Sequence, residues 1–236
     1  MTLNTVLCSE NISENYDGTK IDALRYQMMS FKFDGPVDAG RYLILAHGAG
    51  APMVSPFMNY FAEGVASAGI RVVRFEFPYM VRSREDGRRR PPDRAALLID
   101  AWHNIIKEII QTGVTYHNLF IGGKSLGGRI ASMIADDAGI GGLVCLGYPF
   151  HPPGKHDRTR VDHLAHLTTP ALFVQGERDA LGSLSDVAEY ELAQGINVRW
   201  LEDGDHSFKP RKASGRTERQ NWNEGVEAIV EFVNST

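Results

Sequence analysis

Residues 119–127 read Leu-Phe-Ile-Gly-Gly-Lys-Ser-Leu-Gly, an apolar run that leads directly into the pattern Gly-x-Ser-x-Gly centred on Ser125. A strand that turns sharply into a helix holds the central residue in a strained backbone conformation with its side chain exposed. Gly123 and Gly127 have no side chains, and we expect the incoming strand and the outgoing helix nearly to touch at these two positions. The helix is predicted by the apolar residues that recur at helical spacing, Leu126, Ile130, Met133 and Ile134.

Short β-branched and aromatic runs alternate with longer helical patterns along the chain, which is typical of a mostly parallel sheet with helices on both faces. Helices are predicted from Ser55-Pro56, after Pro91-Pro92 and around 222–233. No Pro-, Gly- or Ser-rich linker divides the 236 residues, so we expect one α/β domain over 1–236. The predicted strands are 22–33, as part of an antiparallel N-terminal pair, then 42–46, 71–77, 118–123, 142–147, 171–175 and 197–202.

Composition favours a globular protein that acts on a small molecule. The chain is 43% hydrophobic with a net charge of -4, which argues against disorder and against general nucleic-acid binding. Residues 1–17 lack the basic start and apolar block of a signal peptide, and no apolar run is long enough to cross a bilayer. With only two cysteines, Cys8 and Cys145, we expect no disulfide framework and a cytoplasmic location.

Chemistry is expected in the loops that follow strands, because open α/β sheets bind ligands at the carboxyl ends of their strands. Ser125 needs a base, and His206 follows the last predicted strand. An imidazole needs a carboxylate that fixes its tautomer, for which we select Asp179, just past the strand at 171–175. The alternative carboxylates are Glu177, Asp203 and Asp205, of which the last two are too near His206 in sequence to reach its far ring nitrogen easily.

Acyl transfer also needs hydrogen-bond donors for the developing oxyanion. The loop His47-Gly48-Ala49-Gly50-Ala51-Pro52 follows the strand at 42–46, and its small residues let a backbone N–H approach a substrate. We assign the backbone N–H of Ala49 as one donor, with Gly48 or Gly50 as alternatives, and that of Leu126 as the other. His47 is expected to make a structural hydrogen bond.

Two other kinds of site, for phosphate and for a metal ion, are alternatives in the sequence. A phosphate-binding P-loop needs a further glycine five residues before Gly123, where the chain has Asn118. A metal site could use histidines of one segment with Asp157 or Asp162, but no cysteine completes a set, so we expect no metal and a polar connection. Those histidines are His151, His156, His163 and His166.

Arginines and lysines cluster after two of the predicted strands. If these clusters and Lys124 face the active edge, they would attract an anionic substrate. The alternatives are solvated charge, contacts to acidic loops, or a protein partner. The clusters are Arg82, Arg84, Arg88, Arg89 and Arg90, and Lys209, Arg211, Lys212 and Arg216.

Six strings between residues 41 and 216 resemble the α/β-hydrolase superfamily, and more closely its KAN/testis-expressed hydrolase-like branch. The resemblance implies the α/β-hydrolase fold and the roles of nucleophile, acid and base for Ser125, Asp179 and His206. We expect the reaction of these residues to need no cofactor. The strings are HGAGAPM (47–53), RFEFPYM (74–80), RRPPDR (89–94), GGKSLGGR (122–129), CLGYPFHPPGK (145–155) and LEDGDHSFKPRKASGR (201–216).

The segment between the strands at 142–147 and 171–175 is too short for the helical cap that many relatives insert there. We therefore expect no cap domain and a shallow pocket for short or polar acyl groups, bordered by Lys124 and by aromatic residues that could equally be core. The expected function is a serine hydrolase that cleaves an ester, thioester or related acyl compound. The alternative is a hydrolase-shaped binding module without useful turnover. The aromatic residues are Tyr79, Tyr148, Phe150 and Phe208.

Overall fold

The computed structural model describes residues 31–236, which form a seven-stranded sheet flanked by helices. The strands lie in the order β1-β3-β2-β4-β5-β6-β7, and all pairs are parallel except β1 with β3. They are β1 (Phe31–Asp34), β2 (Tyr42–Ala46), β3 (Arg71–Phe75), β4 (Leu119–Lys124), β5 (Gly142–Leu146), β6 (Ala171–Gly176) and β7 (Ile196–Leu201).

Helices cover both faces of this sheet, because each face is lined by buried apolar side chains that need a partner layer. One face packs against α1 and α7, and the other against α3 and α4. The helices are α1 (Pro56–Ser67), α2 (Pro78–Asp86), α3 (Ala95–Gln111), α4 (Leu126–Ser132), α5 (Ala135–Ala138), α6 (Leu184–Val187) and α7 (Glu218–Ser235).

Local sequence signals explain where these elements begin. Ser55 caps α1 by accepting a hydrogen bond from the backbone N–H of Met58, and Pro56 occupies the first helical position, where no N–H is needed. Thr217 and Gln220 form a capping box at the start of α7. β4 is buried at every position, as expected for the central strand of a sheet covered on both faces.

The predicted α/β arrangement is confirmed, and the six predicted strands from residue 42 onward agree with the observed ones to within about two residues. The connection between β5 and β6 holds only a 3-10 turn (Leu164–His166), so the described chain inserts no cap domain there. The predicted helix after Ser125 is shorter than its apolar spacing suggests, because it ends at Ser132 and leaves Met133 exposed. The predicted strand at 22–33 lies largely outside the described residues, which include only its end.

Within residues 31–236, no helix has both the length and the hydropathy needed to cross a bilayer.

Candidate active site

Ser125 occupies the tight turn between β4 and α4 in a strained backbone conformation. Its φ of 50° and ψ of -110° lie where L-residues are rarely found. The backbone N–H of Ser125 donates to the carbonyl of Leu146 at 2.9 Å, which ties the turn to the end of β5. The side chain is partly exposed, as the strand-turn-helix pattern predicts.

The glycines around Ser125 leave room for the neighbouring strand β2. A Cβ atom on Gly123 would lie 2.2 Å from the carbonyl oxygen of Ala46, and one on Gly127 would lie 2.5 Å from the same atom. We expected the strand and the helix to crowd each other at these two positions. That contact is instead at Gly128, where an added Cβ would lie 2.6 Å from the carbonyl oxygen of Gly123.

Replacing Gly127 with alanine is expected to destabilise the protein, although alanine is the better helix former. The helix preference contributes about 1 kcal/mol in favour of alanine. The added methyl group would press on the backbone oxygens of Ala46 and His47, which belong to the end of β2 and cannot rotate away. We expect a net loss of about 2 kcal/mol in the free energy of unfolding, measured by urea denaturation.

The matched control is Gly195→Ala, because an added Cβ there meets no atom within 4 Å. This control should change stability by less than about 0.5 kcal/mol. Equal stabilities for the two variants would show that the close approach to β2 has no energetic consequence.

His206 lies in the loop after β7, and its Nε2 atom is 3.0 Å from the Oγ atom of Ser125. Its loop is held from two sides. The carboxylate of Asp205 accepts hydrogen bonds from the backbone N–H groups of Ser207 and Lys209, and Asn221 of α7 donates to the carbonyl of Phe208. The imidazole is therefore positioned by the loop's own hydrogen bonds as well as by the chain fold.

Asp179 is fully buried after β6, and its Oδ2 atom lies 2.7 Å from Nδ1 of His206. Two further donors fix the carboxylate, because Gln175 donates to Oδ2 and the backbone N–H of Leu181 donates to Oδ1, each at 2.9 Å. Gln175 was not singled out from the sequence. Its place in the apolar strand β6, four residues before Asp179, is the signal that could have identified it.

The alternative carboxylates make contacts elsewhere. Glu177 accepts a hydrogen bond from the backbone N–H of Asp203, and Asp203 is paired with Arg178 and Arg211. Asp205 binds backbone N–H groups of its own loop. Of the four carboxylates considered, only Asp179 has a described contact with the ring of His206.

Lys124 lies next to Ser125, and its ammonium group supports the histidine loop. Its Nζ atom donates to the carbonyl oxygen of His206 at 2.6 Å, and it lies over the rings of Phe57 and Phe208. Burial opposes the charged form and lowers the pKa of Lys124 to about 8, although Asp179 and Asp205 act in the opposite direction. The amine therefore helps to position His206 by binding its backbone carbonyl rather than its ring.

The depressed pKa of Lys124 predicts a stability that depends on pH. In the unfolded chain a lysine has a pKa of about 10.4, so between pH 8 and 10.4 the unfolded state binds more protons than the folded state. The free energy of unfolding should therefore rise with pH across this window. Relative to Lys124→Met, the wild type should gain about 2 kcal/mol between pH 7.5 and 10.

Urea denaturation of the wild type and Lys124→Met across this pH range measures the difference in their free energies of unfolding. The contributions of the other titrating groups, which both proteins share, cancel in this difference. The control is Lys209→Met, which changes an exposed lysine in the loop that contains His206. Its stability should vary with pH as that of the wild type does. A constant difference between the wild type and Lys124→Met would show that the amine titrates as in water.

A cavity of about 330 Å³ opens directly beside Ser125 and His206. The loop after β2 forms one wall with Gly48, Ala49, Gly50 and Ala51, and Lys124 and Ser207 also line the cavity. The start of α1 contributes Pro56, Phe57 and Met58, which the sequence analysis missed. The cap signal Ser55-Pro56 could have revealed them, because it starts a helix immediately after the loop of small residues.

His47 holds this loop in place through both ring nitrogens. The backbone N–H of Phe77 donates to its Nε2 atom at 3.1 Å, and its Nδ1 atom lies 2.7 Å from the carbonyl oxygen of Gly48. Burial lowers the pKa of this imidazole, so the ring is neutral and donates from Nδ1. The histidine makes structural hydrogen bonds of the kind expected from its position at the strand end.

The four aromatic residues expected at the pocket border lie in the core instead. None is more than 1% exposed, and none lines the cavity beside Ser125. Tyr148 and Phe150 pack against Phe173 beneath the sheet edge, Tyr79 donates to the loop carbonyl of Ala49, and Phe208 packs on Phe61. These large rings lie in the core because burying their apolar area lowers the free energy of the folded protein more than a place on the cavity wall would.

Most of the clustered arginines are paired with carboxylates. Arg82 contacts Asp93 at 2.7 Å and Arg84 contacts Glu76 at 3.0 Å. Pairs of this kind satisfy the guanidinium groups locally, so these arginines give little support to an anionic substrate. The remaining pairs are Arg90 with Asp86, Arg211 with Asp203, and Arg216 with Glu202 and Glu224.

The chain is similar to known proteins in both sequence and fold. A family model described as an alpha/beta hydrolase domain matches residues 39–234. Among solved structures, the chain is similar to an alpha-beta serine hydrolase homologue from Coxiella burnetii, with 15% identity, a TM-score of 0.65, and coverage of 86% of this chain and 90% of that chain.

Two further structures are similar over nearly the same extent. XC6422 from Xanthomonas campestris, described as an a/b serine hydrolase without lid, is 18% identical with a TM-score of 0.61, and 85% of this chain and 89% of that chain are covered. A dienelactone hydrolase from Anabaena variabilis is 19% identical with a TM-score of 0.62, and the coverage is 86% and 90%. At these identities the likeness shows the fold.

Proposed function

The chain belongs to the alpha/beta hydrolase domain family, and we propose on this basis that it is a serine hydrolase that cleaves short acyl esters, thioesters or related compounds through an acyl-enzyme. The observation that carries the proposal is the continuous contact from Ser125 through His206 to Asp179, at 3.0 and 2.7 Å. A serine, a base and an orienting acid in this order are the parts that nucleophilic acyl transfer requires.

In the first half of the reaction, Oγ of Ser125 attacks the substrate carbonyl carbon while Nε2 of His206 takes the hydroxyl proton. The tetrahedral intermediate then collapses, and the same proton passes from His206 to the leaving alcohol or thiol. The acyl group stays on Ser125 as an ester. The strained backbone of Ser125 keeps the hydroxyl at the cavity wall, where the attack needs no rearrangement of the turn.

In the second half, water attacks the acyl ester and gives its proton to His206, which returns it to Oγ of Ser125 as the acid leaves. Asp179 holds Nδ1–H of His206 toward itself, so that Nε2 is free to accept a proton in both halves. The carboxylate also stabilises the imidazolium that forms each time. The proposed reaction uses only side chains, backbone N–H groups and water.

The oxyanion is proposed to bind the backbone N–H groups of Ala49 and Leu126. Ala49 lines the cavity, with Gly48 and Gly50 as alternative donors in the same loop. Leu126 is the first residue of α4, where backbone N–H groups have no partner within the helix. Removal of one such donor typically costs about 100- to 1,000-fold in rate.

The cavity argues for a small acyl group. Its volume of about 330 Å³ is near the lower end of ligand pockets, and the described chain has no cap between β5 and β6 that would enclose a long chain. Phe57 and Met58 supply an apolar wall, and the small residues at 48–51 leave space for the acyl carbonyl. We therefore propose short, largely uncharged acyl groups. A cytoplasmic place of action is proposed from the low cysteine count of the sequence. The KAN/testis-expressed branch remains a prediction.

Pre-steady-state hydrolysis of p-nitrophenyl acetate tests this proposal. An acyl-enzyme predicts a burst of p-nitrophenol whose amplitude approaches one per chain, followed by slower turnover. A p-nitrophenyl ester with a long acyl chain should react much more slowly. Folded protein that releases no p-nitrophenol above the buffer rate, from any chain length, would favour the rival function of a binding module without turnover.

A further inference from the structure

Two histidines and an aspartate converge between the loop after β5 and the start of α6, with one histidine buried and the other exposed. One potential ligand atom from each of His151, His156 and Asp186 lies within 4.8 Å of the others. These residues take no part in the proposed acyl transfer. Sequence spacing paired the histidines with Asp157 or Asp162, whereas the fold brings Asp186 to them from a distant part of the chain.

His151 is held in the tautomer that binds a metal ion. Its Nδ1 atom lies 2.9 Å from the carbonyl oxygen of Pro152, and a carbonyl can only accept, so Nδ1 carries the hydrogen. Nε2 then presents a lone pair. The residue is fully buried, and Nε2 has no hydrogen-bond partner among residues 31–236, which leaves a buried acceptor unsatisfied there. A backbone carbonyl on the far nitrogen is how metal-binding histidines are usually oriented.

Asp186 presents a carboxylate that hydrogen bonds hold in place. The backbone N–H and the hydroxyl of Ser183 both donate to Oδ2, at 2.9 and 2.6 Å. The other oxygen, Oδ1, lies 3.1 Å from Nδ1 of the exposed His156. Oδ2 is thus anchored by Ser183 and lies toward His151, whereas Oδ1 faces His156.

The separations suit a tetrahedral ion. Ligand atoms about 2.05 Å from a tetrahedral Zn²⁺ lie about 3.3 Å apart. Nδ1 of His156 lies 3.1 Å from Oδ1 of Asp186, and Nε2 of His151 lies 3.6 Å from Oδ2 of the same carboxylate, which is too long for a hydrogen bond. The centroids of the two imidazole rings are 4.2 Å apart.

We propose that His151, His156 and Asp186 form a binding site for a divalent transition-metal ion of the Zn²⁺ class. Two imidazoles and a carboxylate are a borderline ligand set that suits Zn²⁺, with water in the fourth position. This proposal replaces the sequence-based expectation of no metal.

The site would stabilise the acid loop of the candidate active site without touching the reacting atoms. The backbone N–H of His151 donates to the carbonyl of Leu181, whose own N–H donates to Asp179. An ion would therefore clamp the connection at 151–156 to the segment at 179–186 that presents the buried acid. Its role is structural, and the binding does not require Ser125.

Calorimetric titration of EDTA-treated, full-length protein with Zn²⁺ tests the proposal. The wild type should bind one ion at this site and show a raised melting temperature. His156→Ala should weaken this binding at least about tenfold, because loss of even an outer-shell partner typically costs that much. His156 is exposed, so this variant should fold.

Asp186→Asn is the second variant, because its amide oxygen can still accept from Ser183 while the charge is lost. It should also bind at least about tenfold more weakly. His166→Ala is the control, since it removes an exposed histidine from the same connection, and should bind like the wild type. No Zn²⁺ binding by the wild type, or equal binding by all four proteins, would overturn the proposal.

Discussion

Ser125→Ala is expected to lower kcat for a short acyl ester by about 10⁴- to 10⁶-fold while the protein stays folded. The alanine methyl group fits where the serine side chain stands, because the hydroxyl contacts only Nε2 of His206 among the described residues. The nucleophile is lost, but the cavity and the oxyanion donors remain. Steady-state kinetics and circular dichroism measure the two parts of this expectation.

Ser207→Ala is the matched control, since Ser207 lines the same cavity and is exposed. Its carbonyl, which accepts from the indole of Trp222, is unaffected by the change. We expect this variant to keep kcat within about threefold of the wild type. Equal loss in the two variants, or full activity in Ser125→Ala, would remove Ser125 from the mechanism.

Asp179→Asn is expected to lower kcat by about 10⁴-fold with little change in the fold. The amide oxygen can still accept one of the hydrogen bonds from Gln175 and Leu181. The amide cannot accept through both of its atoms, so the pairing with His206 no longer fixes the proton on Nδ1 or stabilises the imidazolium. Steady-state kinetics on the same ester measure the loss.

Asp205→Asn is the control for this variant, because Asp205 is the residue next to His206 and was an alternative acid. Its side chain accepts from the backbone of its own loop, which asparagine can also do. This variant should lose less than about tenfold in kcat. A larger loss in Asp205→Asn than in Asp179→Asn would contradict the assignment of the acid.

The fold and the contacts between Ser125, His206 and Asp179 could be predicted because short sequence signals determine them. The burial pattern of β4 and the succession of strands along the chain follow from local rules, and the carboxyl ends of parallel strands meet at one edge. His206 and Asp179 therefore had to lie near Ser125 if they followed the expected strands. The shorter helix after Ser125 was missed because apolar spacing continues past its end at Ser132.

The cavity walls could not be predicted in the same way, because they depend on which side chains the core absorbs. Tyr148 and Phe208 follow strands at the active edge, yet both are fully buried, and Phe57 of α1 lines the cavity instead. The ion pairs of the basic clusters and the approach of Asp186 to two histidines depend on tertiary contacts between distant segments. No spacing rule in a single sequence contains that information.

Reaction of the folded protein with a fluorophosphonate probe, followed by peptide mass spectrometry, tests most directly whether Ser125 is an activated nucleophile. We expect one adduct per chain, located on Ser125, and none in folded Ser125→Ala. Folded wild-type protein that carries no adduct between pH about 6 and 9, or carries it on another residue, would contradict the proposed mechanism.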